Sequence, residues 1–174
     1  MHVEPLIASD ALQYRKLMLE AYTLAADAFT STADERAAEL ESFWVNRVAG
    51  AKDVSAAFGA FLGRELVGTV ALEFASKPKT KHKGHVIGMY VRPEARGTGA
   101  GKALLQAAVE YAKAMPGIRL LNLTVTEGNE AAANLYRSFG FETFGIEPMA
   151  ILTPSGYKAK VHMWLPLTSG NPST

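Results

Sequence analysis

Val86–Gly101 reads VIGMYVRPEARGTGAG. An apolar strand-like run ends at Pro93, and glycines follow at positions 97, 99 and 101, with Arg96 just before them. A strongly helix-forming segment, Ala100–Met115, begins at once. Strand, glycine turn and helix start together suit a diphosphate. Glycine permits positive φ and a close backbone approach. The helix start presents unpaired N–H groups and a partial positive charge. Arg96 adds a planar donor fork that matches phosphate. Two common phosphate loops fail on counting. GxxxxGK[ST] ending on Lys102 needs Gly at 96 and Ser or Thr at 103, where the chain has Arg96 and Ala103. GxGxxG from Gly97 needs glycine at 102, where the chain has Lys102. What stays is R-x-x-G-x-G at Arg96–Gly101.

Working outward, Ala100–Met115 is the best helix. Leu104, Leu105, Ala108, Val109 and Ala112 form its apolar side, and Lys102, Gln106, Glu110 and Lys113 its wet side. Pro116-Gly117 stops it, and Ile118–Val125 follows as a strand. Asn129 is a good cap for a helix over Glu130–Phe139 that Gly140 ends. Upstream, Val54–Leu62 and Glu65–Phe74 read as strands around the Gly63-Arg64 turn. In the second strand Val67, Thr69, Ala71 and Glu73 share one face, and Gly68, Val70, Leu72 and Phe74 the other. Val3–Ile7 reads as a first strand. Leu12–Ala26 reads as a helix capped by Ser9 or Asp10, with Leu12, Leu17, Leu19, Tyr22 and Leu24 on its apolar face. A second helix runs from a cap at Thr32 or Asp34 to Gly50, with Leu40, Phe43, Trp44 and Val48 inward. Ser76–Gly84 is a basic loop before the strand His85–Val91. Thr143–Leu152 and Tyr157–Leu167 form a last hairpin around Pro154-Ser155-Gly156. The strand–helix–strand section calls for a parallel pair through a right-handed crossover, and the hairpins are antiparallel. One domain over 1–167 and a flexible tail over 168–174 are expected.

A second motif lies downstream. Asn129–Phe141 reads NEAAANLYRSFGF, with Asn129, Ala132, Tyr136, Gly140 and Phe141 spaced as N-x-x-A-x-x-x-Y-x-x-x-G-F. Asn129 and Tyr136 are about two helical turns apart and project from similar faces, with the small Ala132 between them. That helix face offers a slot for a thin chain.

The R-x-x-G-x-G loop after V-x-P (Val91, Pro93), followed by this second motif, resembles the GNAT (GCN5-related N-acetyltransferase) superfamily. The resemblance implies a mixed α/β fold: a mostly antiparallel central sheet, a parallel strand–helix–strand core and flanking helices. It also implies transfer of an acetyl group from acetyl-CoA to an amine by direct attack. The backbone N–H groups of Gly97, Thr98, Gly99, Ala100, Gly101 and Lys102, with Arg96, would hold the diphosphate. Met89 and Val91 would pair with pantetheine amides, in a gap between the cofactor strand and the strand at Ile118–Val125. A strand bulge corresponding to Val91 would supply the oxyanion donor. Tyr136 would give a proton to the departing thiolate, and Asn129 would hydrogen-bond the cofactor. No metal is implied.

The attacking amine must be neutral, and an alkyl ammonium has a pKa near 10, so a base is useful. Glu73 and His85, each on a central strand, are the candidates, with Glu73 first. His162 is read as structural. The acceptor site is expected among the first helices and the last hairpin, where Tyr22, Phe29, Phe43, Trp44, Tyr157 and Trp164 gather. Glu35, Glu39 and Glu41 are available to a cationic amine, and a small molecule is favoured over a protein. Two other readings stay open: an acyl-CoA-binding sensor without turnover, and an acyltransferase with another donor or acceptor.

Composition agrees with an ordinary globular chain. Of 174 residues, 48% are hydrophobic and 20% charged, enough for a core. A net charge of +1 gives no reason to expect nucleic acid or membrane as partner. The absence of cysteine excludes disulfides, thiolate metal sites and a cysteine nucleophile, and fits a cytoplasmic protein. No signal peptide and no run of about 20 apolar residues is visible. The apolar Tyr157–Leu167 strand allows a homodimer.

Overall fold

The computed structural model describes residues 1–167; the expected tail at 168–174 lies outside them. Seven strands form one sheet in the order β1-β2-β3-β4-β5-β7-β6. They are β1 (His2–Pro5), β2 (Ser55–Leu62), β3 (Glu65–Phe74), β4 (Lys83–Val91), β5 (Leu120–Thr126), β6 (Glu142–Thr153) and β7 (Gly156–Pro166). The helices are α1 (Ala11–Leu24), α2 (Ala33–Ala37), α3 (Glu41–Ala49), α4 (Ala100–Ala114) and α5 (Glu130–Ser138). Every neighbouring pair is antiparallel except β4–β5, the pair that α4 connects. The mixed, mostly antiparallel sheet with one parallel unit is the architecture expected. No helix among the described residues is long and apolar enough to cross a membrane.

The sheet buries both faces. On one, Leu104, Leu105, Ala108, Val109 and Ala112 of α4 pack with Val70, Leu72 and Leu121, as the helical spacing requires. Each of those leucines contributes roughly 1.5–3 kcal/mol by leaving water. On the other face, Leu17 and Met18 of α1 and Trp44 and Val48 of α3 cover Leu66, Ala71 and Tyr90.

Three local expectations are corrected. Val67 does not share the face of Ala71; it packs with α4's cluster. Ala60 and Phe61 are opposed by Gly68 and Leu66, so Val67 is an extra residue and the alternation slips there. In α1 the buried side is Ala11, Tyr14, Leu17, Met18 and Ala21, while Leu12 and Leu24 stand in solvent. The Asp10 carboxylate accepts from the Ile7 N–H (2.9 Å) and does not cap α1. The single helix expected over 32–50 is two. Thr32 and Glu35 form a reciprocal capping box (2.7 and 3.1 Å) that starts α2. The next turn then tightens, with Glu39 N–H on Arg36 C=O (3.1 Å), and Leu40 turns extended and exposed. The break brings Arg36 over the Phe43 ring at 4.7 Å.

Candidate active site

β4 and β5 pair only at Lys83–Leu120, Gly84–Leu121 and His85–Asn122. Beyond that point the two strands part, and the gap foreseen between them opens. A bulge in β4 accompanies the split. Thr69 opposes Tyr90 and Ala71 opposes Ile87, so Gly88 and Met89 together face Val70. Gly88 takes φ +60°, and Met18 and Tyr14 lie 3.7 Å from where a Cβ would stand. Val91, where the bulge was expected, is in ordinary register with Gly68. The bulge lies at Gly88–Met89.

β4 runs through the Pro93–Ala95 turn to the glycine loop. Gly99 caps α4 with φ +87°, and nothing lies within 4 Å of a Cβ there or at Gly97, so the loop surface is open. The first helical bond is Ala103 N–H to Gly99 C=O (3.0 Å). The N–H groups of Ala100, Gly101 and Lys102 precede it and lack helical partners. Thr98 Oγ1 donates to Ala95 C=O (2.6 Å) and stiffens the turn. Arg96 Nε donates to Val91 C=O (3.0 Å), strapping loop to strand end. Gly101 has a packing role: a Cβ there would sit 3.4 Å from Leu135 and 3.5 Å from Met89. These features suit a pantetheine diphosphate: an open anion cradle below a strand gap.

At the gap's inner end is a cavity of about 350 Å³. Met89 and Gly88 of β4, Val125 of β5, and Asn129, Ala132 and Tyr136 of α5 line one side. Asn129 Oδ1 accepts from Ala132 N–H (3.3 Å), so it both caps α5 and faces the cavity. Tyr136 is 6% exposed and edges onto Phe141 at 5.8 Å. Burial pushes its phenol up to about 12, which keeps it protonated throughout the neutral range. Glu73 also lines the cavity, with Arg47 donating to its carboxylate at 2.7 Å. His85 is Glu73's cross-strand neighbour but is not part of the lining, and its Nδ1 is in short contact with Asn122 Oδ1. His162 pairs with Glu147 at 2.9 Å.

The opposite wall comes from α1, α2, α3 and the chain between α1 and α2. Tyr22, Phe29, Phe43 and Trp44 are there as expected, whereas Tyr157 and Trp164 are not. Nor are Glu35, Glu39 and Glu41 part of the lining; Arg36, Arg47 and Lys160 are, and sequence reasoning missed all three. Arg47 was findable in principle, four residues after Phe43 on one helix face. Arg36 was not, because the α2–α3 break sets its direction.

The model of the acetyltransferase (GNAT) family matches residues 18–141. An L-methionine sulfoximine/L-methionine sulfone acetyltransferase of Pseudomonas aeruginosa is 38% identical over 80 residues, 46% of this chain and 42% of that enzyme. A mycothiol acetyltransferase of Thermobispora bispora is 39% identical over 66 residues, 38% of this chain and 22% of that one. The matched segment thus spans less than half of either relative. Among solved structures, a GNAT acetyltransferase of Streptococcus pneumoniae superposes with a TM-score of 0.80 at 22% identity, covering 96% of this chain and 99% of that one. The yncA protein of Salmonella typhimurium, solved with acetyl-CoA, gives 0.81 at 17% identity, covering 100% and 98%. The family match runs from within α1 to the phenylalanine that closes the second motif, more than half of the chain, and the chain belongs to the GNAT acetyltransferase family.

Proposed function

We propose that the chain is an acetyl-CoA-dependent N-acetyltransferase acting on a primary amine of a small molecule. The observation that carries this reading is the cavity at the β4–β5 split, where Tyr136, the Gly88–Met89 bulge and Glu73 line one space. Acetyl-CoA supplies an activated acyl group as a thioester. The Gly97–Lys102 amides and the α4 start hold its diphosphate, with Arg96 bracing the loop. Met89 and Val91 offer backbone groups to the pantetheine amides, and Asn129 contacts the same arm. A bulge leaves a backbone donor outside the ladder, so the oxyanion donor is at Gly88–Met89.

Glu73, from its place on the wall, takes a proton from the ammonium directly or through water; His85 has no such position. The free amine nitrogen then attacks the thioester carbon, the C–N bond forms and the C–S bond breaks. Two protons leave the nitrogen in all: one ends on the CoA sulfur and one in solvent. Tyr136 serves the sulfur as a hydrogen-bond donor. Burial keeps its phenol protonated at neutral pH, so the O–H is available to the departing sulfur. Retention of Tyr136 favours turnover over mere cofactor storage. A site in the cytoplasm, where acetyl-CoA is made and used, fits this reading. Calorimetric titration of acetyl-CoA, followed by an amine screen, tests it. Saturable binding with acetylated product supports it, and no binding at millimolar acetyl-CoA overturns it.

A further inference from the structure

Tyrosines 14 and 22 of α1 and Tyr136 of α5 all line the cavity. The Tyr22 phenol is within hydrogen-bond reach of Arg36. Tyr14 is 3% exposed, and no described residue hydrogen-bonds its hydroxyl. Among the described residues, the unpartnered side-chain donors that are sealed from all accessible surface are Arg36 Nε and Trp44 Nε1. The Tyr14 hydroxyl is not one of them, so its oxygen keeps accessible surface, and the surface this residue lines is the cavity.

Packing fixes where that hydroxyl stands. Tyr14 shares the buried side of α1 with Leu17 and Met18, and its ring edges onto Trp44 at 6.1 Å. Tyr14 Oη lies 3.7 Å from the point a Cβ on Gly88 would occupy. Gly88 has no Cβ, so clear space separates the phenol from the backbone of the β4 bulge. Tyr14 reaches this place from the core under α1 and α3, whereas Tyr136 belongs to the core under α4, on the other face of the sheet. A thioester has two atoms to be served, oxygen and sulfur, and they lie in different directions from the carbonyl carbon. Its oxygen has two lone pairs, and one bulge N–H meets only one of them.

Resting on the acetyltransferase reading, we infer that Tyr14 is a catalytic residue whose O–H donates to the thioester oxygen of acetyl-CoA, as the second donor beside the Gly88–Met89 backbone. As the amine nitrogen attacks, the carbonyl π pair moves onto that oxygen, and the two donors hold the charge. The pair returns as the C–S bond breaks. The proton stays on Tyr14 throughout, because burial raises its phenol and disfavours the phenolate.

Infrared difference spectra of bound acetyl-CoA, isotope-labelled at the thioester carbonyl, test this. They are taken on the wild type, Tyr14→Phe and Tyr14→fluorotyrosine, the last a stronger donor of nearly the same shape. The carbonyl stretch is expected to rise in Tyr14→Phe and to fall in Tyr14→fluorotyrosine. Calorimetric affinity for acetyl-CoA changes by less than about tenfold, the worth of one neutral hydrogen bond. With the best amine of the screen above, kcat of Tyr14→Phe falls by about 10² or more, the usual cost of one oxyanion donor, and the acceptor KM stays near the wild-type value. A stretch that is the same in all three proteins overturns the inference, and so does a Tyr14→Phe kcat near that of the wild type. A raised acceptor KM at unchanged kcat also overturns it and puts the phenol on the acceptor. A wild type that binds no acetyl-CoA overturns the acetyltransferase reading and the inference with it, whereas binding and turnover with an unmoved stretch overturn the inference alone.

Discussion

Arg47 on α3 donates to the Glu73 carboxylate on β3 at 2.7 Å, with the arginine side chain 16% exposed and the glutamate 48%. The pair bridges the helical wall and the sheet floor of the cavity. It holds Glu73 at the cavity wall, where the proposed mechanism has the amine lose its proton. Glu73→Gln therefore lowers kcat by about 10² or more at pH 7, the usual worth of a positioned base, with acetyl-CoA affinity unchanged. Steady-state kinetics beside calorimetry check it. A variant within threefold of wild type would remove Glu73 from the mechanism.

His85→Gln is expected to keep kcat within about twofold, because the ring is engaged by Asn122 and is not among the described residues that line the cavity. Its cost is structural, roughly 1 kcal/mol for the lost hydrogen bond at the last β4–β5 pair. Urea unfolding and kinetics on one preparation separate the two effects.

Gly99→Ala forces a Cβ into φ +87° at the α4 cap and costs about 1–2 kcal/mol of stability. Gly99→Glu adds a negative charge beside the diphosphate and is expected to weaken acetyl-CoA by about 100-fold or more. Calorimetry of both variants distinguishes strain from charge. Equal affinities would mean that the diphosphate lies elsewhere.

Tyr136→Phe is expected to lower kcat with little change in KM for acetyl-CoA, since in the proposed mechanism the phenol meets the sulfur only as it departs. The same residue gives a stability signature. Its phenol rises from 10.0 to about 12 on folding, so the neutral form supports the fold fully below pH 10. That support is lost as pH climbs from 10 through about 12, roughly 3 kcal/mol in all. Buried Tyr14 is raised as well and acts in the same direction. Urea midpoints at pH 8 and 11 are expected to fall less for Tyr136→Phe than for wild type.

Thr32→Ala removes the capping box of α2 and costs about 1 kcal/mol. Because α2 carries Arg36, the variant is expected to raise the acceptor KM more than the acetyl-CoA KM, read from two-substrate kinetics.

The half of the site proposed for the cofactor was foreseen in outline because it is written in contiguous chain. Strand, Pro93, Gly97, Gly99 and α4 follow one another, and so do Asn129, Ala132 and Tyr136, so backbone geometry and helical spacing place them without long-range contacts. The acceptor half was legible only in its aromatics. Tyr22, Phe29, Phe43 and Trp44 line the cavity, but the acidic residues near them do not, and Arg36, Arg47 and Lys160 went unseen. Those three come from α2, α3 and β7, and only the packed chain brings them together.

By itself the sequence determined the parallel strand–helix–strand unit, the glycine cradle, the capped tyrosine helix and the hairpins, since each rests on turn chemistry and periodicity over a few residues. The tertiary structure alone decided the bulge at Gly88–Met89, the slip at Val67 and the break between α2 and α3. It also decided the cationic wall facing Glu73. Strand register and the direction of a side chain beside a helix break are set by what packs against them from distant chain, where local preference has no say.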